Sequence, residues 1–321
     1  MQARPMRLAG AALLAIAAAT AHAQGNWPSK PIHFVVPFGP GGANDLVARY
    51  VAEAASRELG QPIIIDNKPG AGSVLGSDLV AKAAPDGYTF LAPAAGVITN
   101  AMIKKSMPYK EDDLVPVVLL ALSPSVIVVP PDSPIKDLKD LVAQSKKGKG
   151  LTFSTAGTGS TPHFVAAMLQ HKGGAKLDVI PYKSGSEGVV AVIGKQVEAT
   201  SEASPVVLPQ IKGGKLRAIA STWNRRVAAL QDIPTAEEQG FKDLVIGHWS
   251  ALFAPKGTPV EILDKMNAAV NKALKSPELR ARLIPQGIDP QGGSREDFRK
   301  FLAAEKARLG PVAKAAQMQA D

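Results

Sequence analysis

Three features of the sequence predict an α/β fold of two lobes, each a mainly parallel sheet flanked by helices, with a ligand cleft between them. Short β-branched runs alternate with amphipathic helical patterns. Two apolar runs that end in prolines, VIVVPPDSP at 126–134 and HWSALFAPKGTP at 248–259, cut the chain into three pieces. Two glycine-rich turns, FGPGGAN at 38–44 and AGTGSTP at 156–162, share one strand-turn-helix construction in different pieces. The alternation sets the class, because helices crossing between parallel strands cover both faces of a sheet. The two crossings set the anatomy: the first and third pieces form one lobe, the middle piece the other, and a hinge between them lets the lobes close on a ligand.

Taken in order, residues 1–23 come first. Arg4 and Arg7 lead, an apolar run from Leu8 to Ala19 follows, and Ala21-His22-Ala23 offers small residues for cleavage near Ala23. This is the pattern of a secretory signal peptide, so the mature chain is expected to begin near Gln24 in the periplasm. Strands are expected at 32–38, 62–66, 88–93, 115–122, 125–130, 151–155, 177–182, 197–202 and 216–222, where β-branched and aromatic residues cluster. The stretch after Asn44 places Leu46, Val47, Tyr50, Val51, Ala54, Ala55 and Leu59 at three-to-four spacing, one face of a helix packed on a sheet. Residues 135–147 repeat that pattern, and the tail from 259 to about 317 reads as almost entirely helical. The expected organisation is a signal peptide at 1–23, lobe 1 from 24–124 plus 250–321, and lobe 2 from 125–249.

Composition narrows the function. The 321 residues carry 37 Lys plus Arg against 28 Asp plus Glu, a formal +9, with 45% hydrophobic residues and no cysteine. The absent thiol removes disulfides, thiolate zinc sites and cysteine nucleophiles. Charges alternate along the tail helix, the mark of a solvated face. The one basic cluster, KKGK at 146–149, has no aromatic neighbour for a base to stack on, so no nucleic-acid partner is expected. Nucleophile-elbow, zinc-protease and P-loop motifs are missing, and GPGGAN at 39–44 departs from the dinucleotide spacing. His33, His163, His171 and His248 include no i, i+4 pair, so neither a metal nor a cofactor is expected, and no enzyme activity. The expected state is a monomer.

The two glycine turns carry the chemistry. Glycines let backbone approach a ligand, and each helix start offers N–H groups without an intrahelical acceptor, a geometry that binds anions. In the second turn Thr161 suits the N-cap and Pro162 the first helical position, with Ser160 beside them. In the first turn Asn44 or Asp45 can cap. Facing each other across a cleft, the turns can hold a carboxylate without any Lys or Arg. His163 either donates to that carboxylate or holds its own loop. Phe38 can lay its ring on the ligand, whereas Trp249 fits core packing better. Of the acids, Glu202 or Asp45 can accept from a ligand amino group or ring nitrogen or hydrogen-bond backbone, and for Asp45 the backbone at its helix start is expected.

The phrases PIHFVVPFGPGGANDLVARYVA, IIIDNKPGAGSVLGSDLVAKAAPDGYTFL, STAGTGSTPHFVAAML, VIPYKSGSEGVVAVIGKQVEA and HWSALFAPKGTP closely resemble the Bug family of extracytoplasmic solute receptors, the substrate-binding proteins of tripartite tricarboxylate transporters. The resemblance runs from about Trp27 into the C-terminal helices. It implies a type II-like periplasmic-binding-protein fold and a small carboxylate ligand, aliphatic or aromatic. It also implies a partner, either the membrane subunits of a tripartite transporter or a sensor protein; an enzyme on the same fold is the remaining alternative. By the resemblance, Phe38, Gly41, Gly42, Ala43, Asn44 and Asp45 form one pincer, Thr158, Gly159, Ser160, Thr161 and His163 the other, and Glu202 stands at the far end of the cavity. Three positions depart from the family pattern, with Gly39 in place of Pro, Asn44 in place of Thr and Glu202 in place of Asp. Ala94 and Ala95 also stand where hydroxyls are often found.

Overall fold

A computed structural model describes residues 27–318 of the chain; the expected signal peptide lies outside them. In lobe 1, β1 (Ile32–Val36) pairs in parallel with β2 (Ile63–Asn67) on one side and β3 (Thr89–Leu91) on the other. Helices α1 (Ala43–Leu59) and α2 (Val74–Ala81) make the crossovers, and α3 (Gly96–Ile103) follows. Alternation along β1 shows why the sheet is apolar on both sides. Ile32, Phe34 and Val36 face one core with α1, and Val35 faces a second core with Trp249 and Phe253. On α1 the fully buried stripe is Val47, Ala48, Val51, Ala52 and Ala55, with Tyr50 and Leu59 at its edge. Small side chains seat this helix close to the sheet. Gly60, left-handed at φ 68°, ends it by donating to the Ser56 carbonyl.

The runs expected as two strands at 115–122 and 125–130 form one, β4 (Leu114–Val129). Up to Pro124 it pairs antiparallel with β9 (Gly247–Pro255); from Ser125 it pairs with β7 (Ala199–Ala203) and β8 (Arg217–Ser221). Pro124, which has no N–H for a ladder, stands at the last pair before this change of partner. Beyond β7 lie β5 (Leu151–Thr155) and β6 (Leu177–Pro181), both parallel. The four strands β5 to β8 therefore share one direction, and β4 opposes them. Helices α4 (Leu138–Ser145), α5 (Thr161–His171), α6 (Gly185–Ile193) and α7 (Ser204–Lys212) cover this second sheet. Ile127 and Val129 point into one of its cores, Val126 and Val128 into the other.

The return to the first half of the sheet is made by β9, which begins at Gly247. His248 pairs with Ser123 and Trp249 with Leu122, both on the lobe 1 half of β4. Helices α8 (Val260–Lys275) and α9 (Pro277–Leu283) then lead to β10 (Asp289–Pro290), on the far side of β4, and to α10 (Arg295–Ala315). At 21 residues α10 is roughly 30 Å long. That length lets its first half place Phe298 and Leu302 in the lobe 1 core while Leu309 and Ala313 enter the lobe 2 core. The last turns of the tail, expected in lobe 1, thus pack their side chains into the core under the second sheet. Among the described residues no helix is long and apolar enough to cross a membrane.

Candidate functional site

A cavity of about 30 Å³, room for one or two waters, lies between the lobes. From lobe 1 it is lined by Phe38, Ala94 and the start of α1 at Gly42, Ala43 and Asn44. From lobe 2 come Ala156, the start of α5 at Ser160, Thr161 and Pro162, the start of α6 at Ser184 and Gly185, and Glu202 at the end of β7. His248 on β9 completes the wall. No Lys or Arg is among the lining residues. Their positive character comes from three helix N-termini, whose first amides have no intrahelical acceptor and carry the positive end of the dipole.

The lobes are drawn together around this space. Thr99 Oγ1 on α3 donates to the Gly159 carbonyl at 2.6 Å, Ser186 Oγ on α6 donates to the Pro40 carbonyl at 3.1 Å, and the Gly39 amide reaches the Lys183 carbonyl at 3.4 Å. A larger recess, about 470 Å³, adjoins the cavity through Phe38 and Ala156 and is lined by the 70–73 turn, Lys104, Thr158 and Lys183.

Both helix starts differ in register from the sequence expectation. The N-cap of α5 is Ser160, not Thr161, and Pro162 is the second helical residue. The Ser160 hydroxyl donates to the Gly157 carbonyl at 2.6 Å and closes the loop, so the helix begins at Thr161. The Thr161 hydroxyl is left buried with no hydrogen-bond partner. For α1 the N-cap is Gly42, which places Asn44 second and Asp45 third. Asn44 donates to the Ala92 carbonyl at 3.4 Å and accepts from Ser250 Oγ at 3.2 Å, so its amide is held within lobe 1.

Five candidates stand behind the cavity wall. Asp45 accepts from the Gly41 amide, Arg49 and Asn67, each at 2.9 Å. Burial alone raises its pKa, but these partners outweigh burial and hold the carboxyl below its usual range. Gly41, at φ 77°, takes a conformation few other residues would accept, and its N–H is committed to Asp45. His163 accepts the Gly159 amide on Nδ1 at 3.1 Å, which leaves the proton on Nε2, and burial lowers its pKa. It ties its own loop. Gly159 meets α3 through Thr99, and Thr158 lines the adjoining recess. Trp249 is a core residue, edge-on to Phe301 at 5.7 Å.

Glu202 and His248 form the other end. Glu202 Oε1 accepts the Ala203 amide at 2.8 Å and lies 3.5 Å from His248 Nδ1; His248 Nε2 is 3.1 Å from Ser125 Oγ. Burial pushes the Glu202 carboxyl up to about 7 and the His248 imidazole down to about 3. Sequence reasoning singled out neither His248 nor the α6 start as lining the site. A signal for the second existed, since Ser184 and Glu187 have capping-box spacing, and the Ser184 hydroxyl accepts the Glu187 amide at 3.3 Å.

The family model described as the tripartite tricarboxylate transporter family receptor matches residues 47–318. Protein BugT of Bordetella pertussis is 37% identical over 290 residues, 89% of each chain. Two solved structures from Rhodopseudomonas palustris superpose closely. Rpa4515 with adipate has a TM-score of 0.88 at 31% identity, covering 92% of this chain and 99% of its own. MatC with bound malate has a TM-score of 0.85 at 30% identity, covering 89% and 99%.

Proposed function

The chain belongs to the tripartite tricarboxylate transporter receptor family, and on that premise we propose that it captures a small carboxylate, most simply a dicarboxylate, by lobe closure in the periplasm. The captured ligand passes to the membrane subunits of a tripartite transporter. The observation that carries this reading is the wall of the cavity: helix N-termini from both lobes, no cation, and one buried hydroxyl, Thr161, without a partner. Such a wall suits an anion whose charge is spread over two oxygens, each able to take more than one N–H. Phe38, Ala43, Ala94 and Ala156 supply an apolar surface for the carbon chain. Malate and adipate, the ligands of the two neighbours, are of this chemical class.

The same cavity holds no more than one or two waters, so a ligand enters only when the lobes part. Their boundaries fall where β4 changes partner, at 124/125, and where β9 begins, at 246/247. The segment at 1–23 directs export.

A thermal-shift screen tests the reading. The mature protein, unfolded and refolded to strip bound ligand, is melted with dicarboxylates, tricarboxylates, aromatic carboxylates and amino acids. A ligand at a hundred times its dissociation constant adds about 2.7 kcal/mol. The expected hits are aliphatic dicarboxylates; a panel in which no carboxylate raises the melting temperature contradicts the proposal.

A further inference from the structure

The end of the cavity away from the two pincers has a composition that fits one kind of ligand group. Glu202 is only 3% exposed and His248 7%. The Glu202 carboxyl rests against two helix starts: the Ala203 amide at the head of α7 donates to Oε1, and Oε2 packs so tightly on Gly185 at the head of α6 that a Cβ there would lie 1.7 Å away. His248 Nε2 is engaged with Ser125 Oγ, which lies 2.5 Å from Ser201 Oγ.

Among the described residues, the charged groups on the elements around Glu202 are engaged elsewhere or lie away from it. On α5, His163 is occupied by the Gly159 amide; on α1, Asp45 is paired with Arg49; at the start of α6, Lys183 and Glu187 lie at the exposed surface. On β8, Arg217 is bound to the carbonyls of Ser133 and Ile135. On β9 the neighbour is His248, and α7 carries its one lysine, Lys212, at the opposite end.

Resting on the proposed function, we infer that Glu202, beside His248, is the subsite for the ligand's second carboxylate, and that the two carboxyl groups share one proton taken up from solvent on binding. Two carboxylates brought into contact without a cation cannot both stay ionised. The shared pair carries one negative charge and one proton, and the two helix starts stabilise that charge. The same dipoles oppose an ammonium group, which distinguishes a dicarboxylate from an amino acid at this end. The burial-raised pKa of Glu202 means that little proton uptake is needed at pH 6 and nearly a full proton at pH 8.

Titration calorimetry with adipate and with malate, in buffers of different ionisation enthalpy, counts the protons. The expected uptake approaches one proton per ligand at pH 8 and is clearly smaller at pH 6, and affinity falls by up to about tenfold per pH unit where a full proton is taken up. Glu202→Gln keeps a donor at the site but has nothing to titrate, so its uptake and its pH dependence vanish. Binding without uptake at pH 8, or uptake that survives in Glu202→Gln, overturns this inference and leaves the functional reading standing. Failure of both ligands to bind at any pH overturns both.

Discussion

Glu202 and His248 leave opposite marks on stability because burial disfavours the charged form of each. A carboxyl raised from 4.5 to about 7 holds more protons folded than unfolded between those values, so it lowers stability as pH rises through that window. An imidazole lowered from 6.5 to about 3 holds fewer protons folded, so it raises stability as pH rises from 3 to 6.5. The two slopes cancel between 4.5 and 6.5. Glu202→Gln removes the first alone, and the variant is expected to gain on the wild type from pH 4.5 to 8 by on the order of 3 kcal/mol. Urea midpoints at both pH values check this, and a difference that stays constant with pH contradicts it. The acid at 202 was legible in the sequence. Its partner was not, because His248 lies 46 positions away and reaches it only through the register of β4 with β9 and β7.

Helix starts from both lobes line the cavity, which has no Lys or Arg in its wall, and the turns before them set how the lobes meet. In the turn ahead of α2, Ala71, Gly72 and Ser73 all have positive φ, and the Gly72 carbonyl accepts from Asn100 at 2.7 Å. A Cβ on Gly72 would stand 2.3 Å from the Thr158 carbonyl of the opposite lobe. Gly72→Val, strained in its own turn by the positive φ and blocked by that carbonyl, is therefore expected to lower stability and to hold the lobes apart, weakening dicarboxylate binding at least about tenfold, the equivalent of about 1.4 kcal/mol. Titration calorimetry reads the affinity, and unchanged binding contradicts the closed contact. At this scale the sequence located both glycine turns and the strands other than β9 and β10, but misjudged cap register by one residue at α5 and by two or three at α1. Ser160, Thr161, Asn44 and Asp45 are all residue types that cap, and only the hydrogen bonds of Ser160 to Gly157 and of Asp45 to Gly41 decide among them.

Among the described residues three segments join the lobes: β4, the return into β9, and α10, which has side chains in both cores. The first two were legible as apolar runs ending in proline. The third was not, because an amphipathic helix shows that it has a buried face without showing which lobe covers each half. An arrangement of two strands and a spanning helix permits rotation of one lobe against the other while limiting how far they separate. The cavity is proposed as a cage for carboxylate oxygens rather than for an apolar chain of similar length. The most direct test of this proposal is titration calorimetry of stripped protein with adipate beside 1,6-hexanediol, and with malate beside 1,4-butanediol. At least one dicarboxylate is expected to bind with one site per chain, while neither diol produces heat beyond dilution. Diols binding as tightly as the acids, or no binding by either acid, would contradict it.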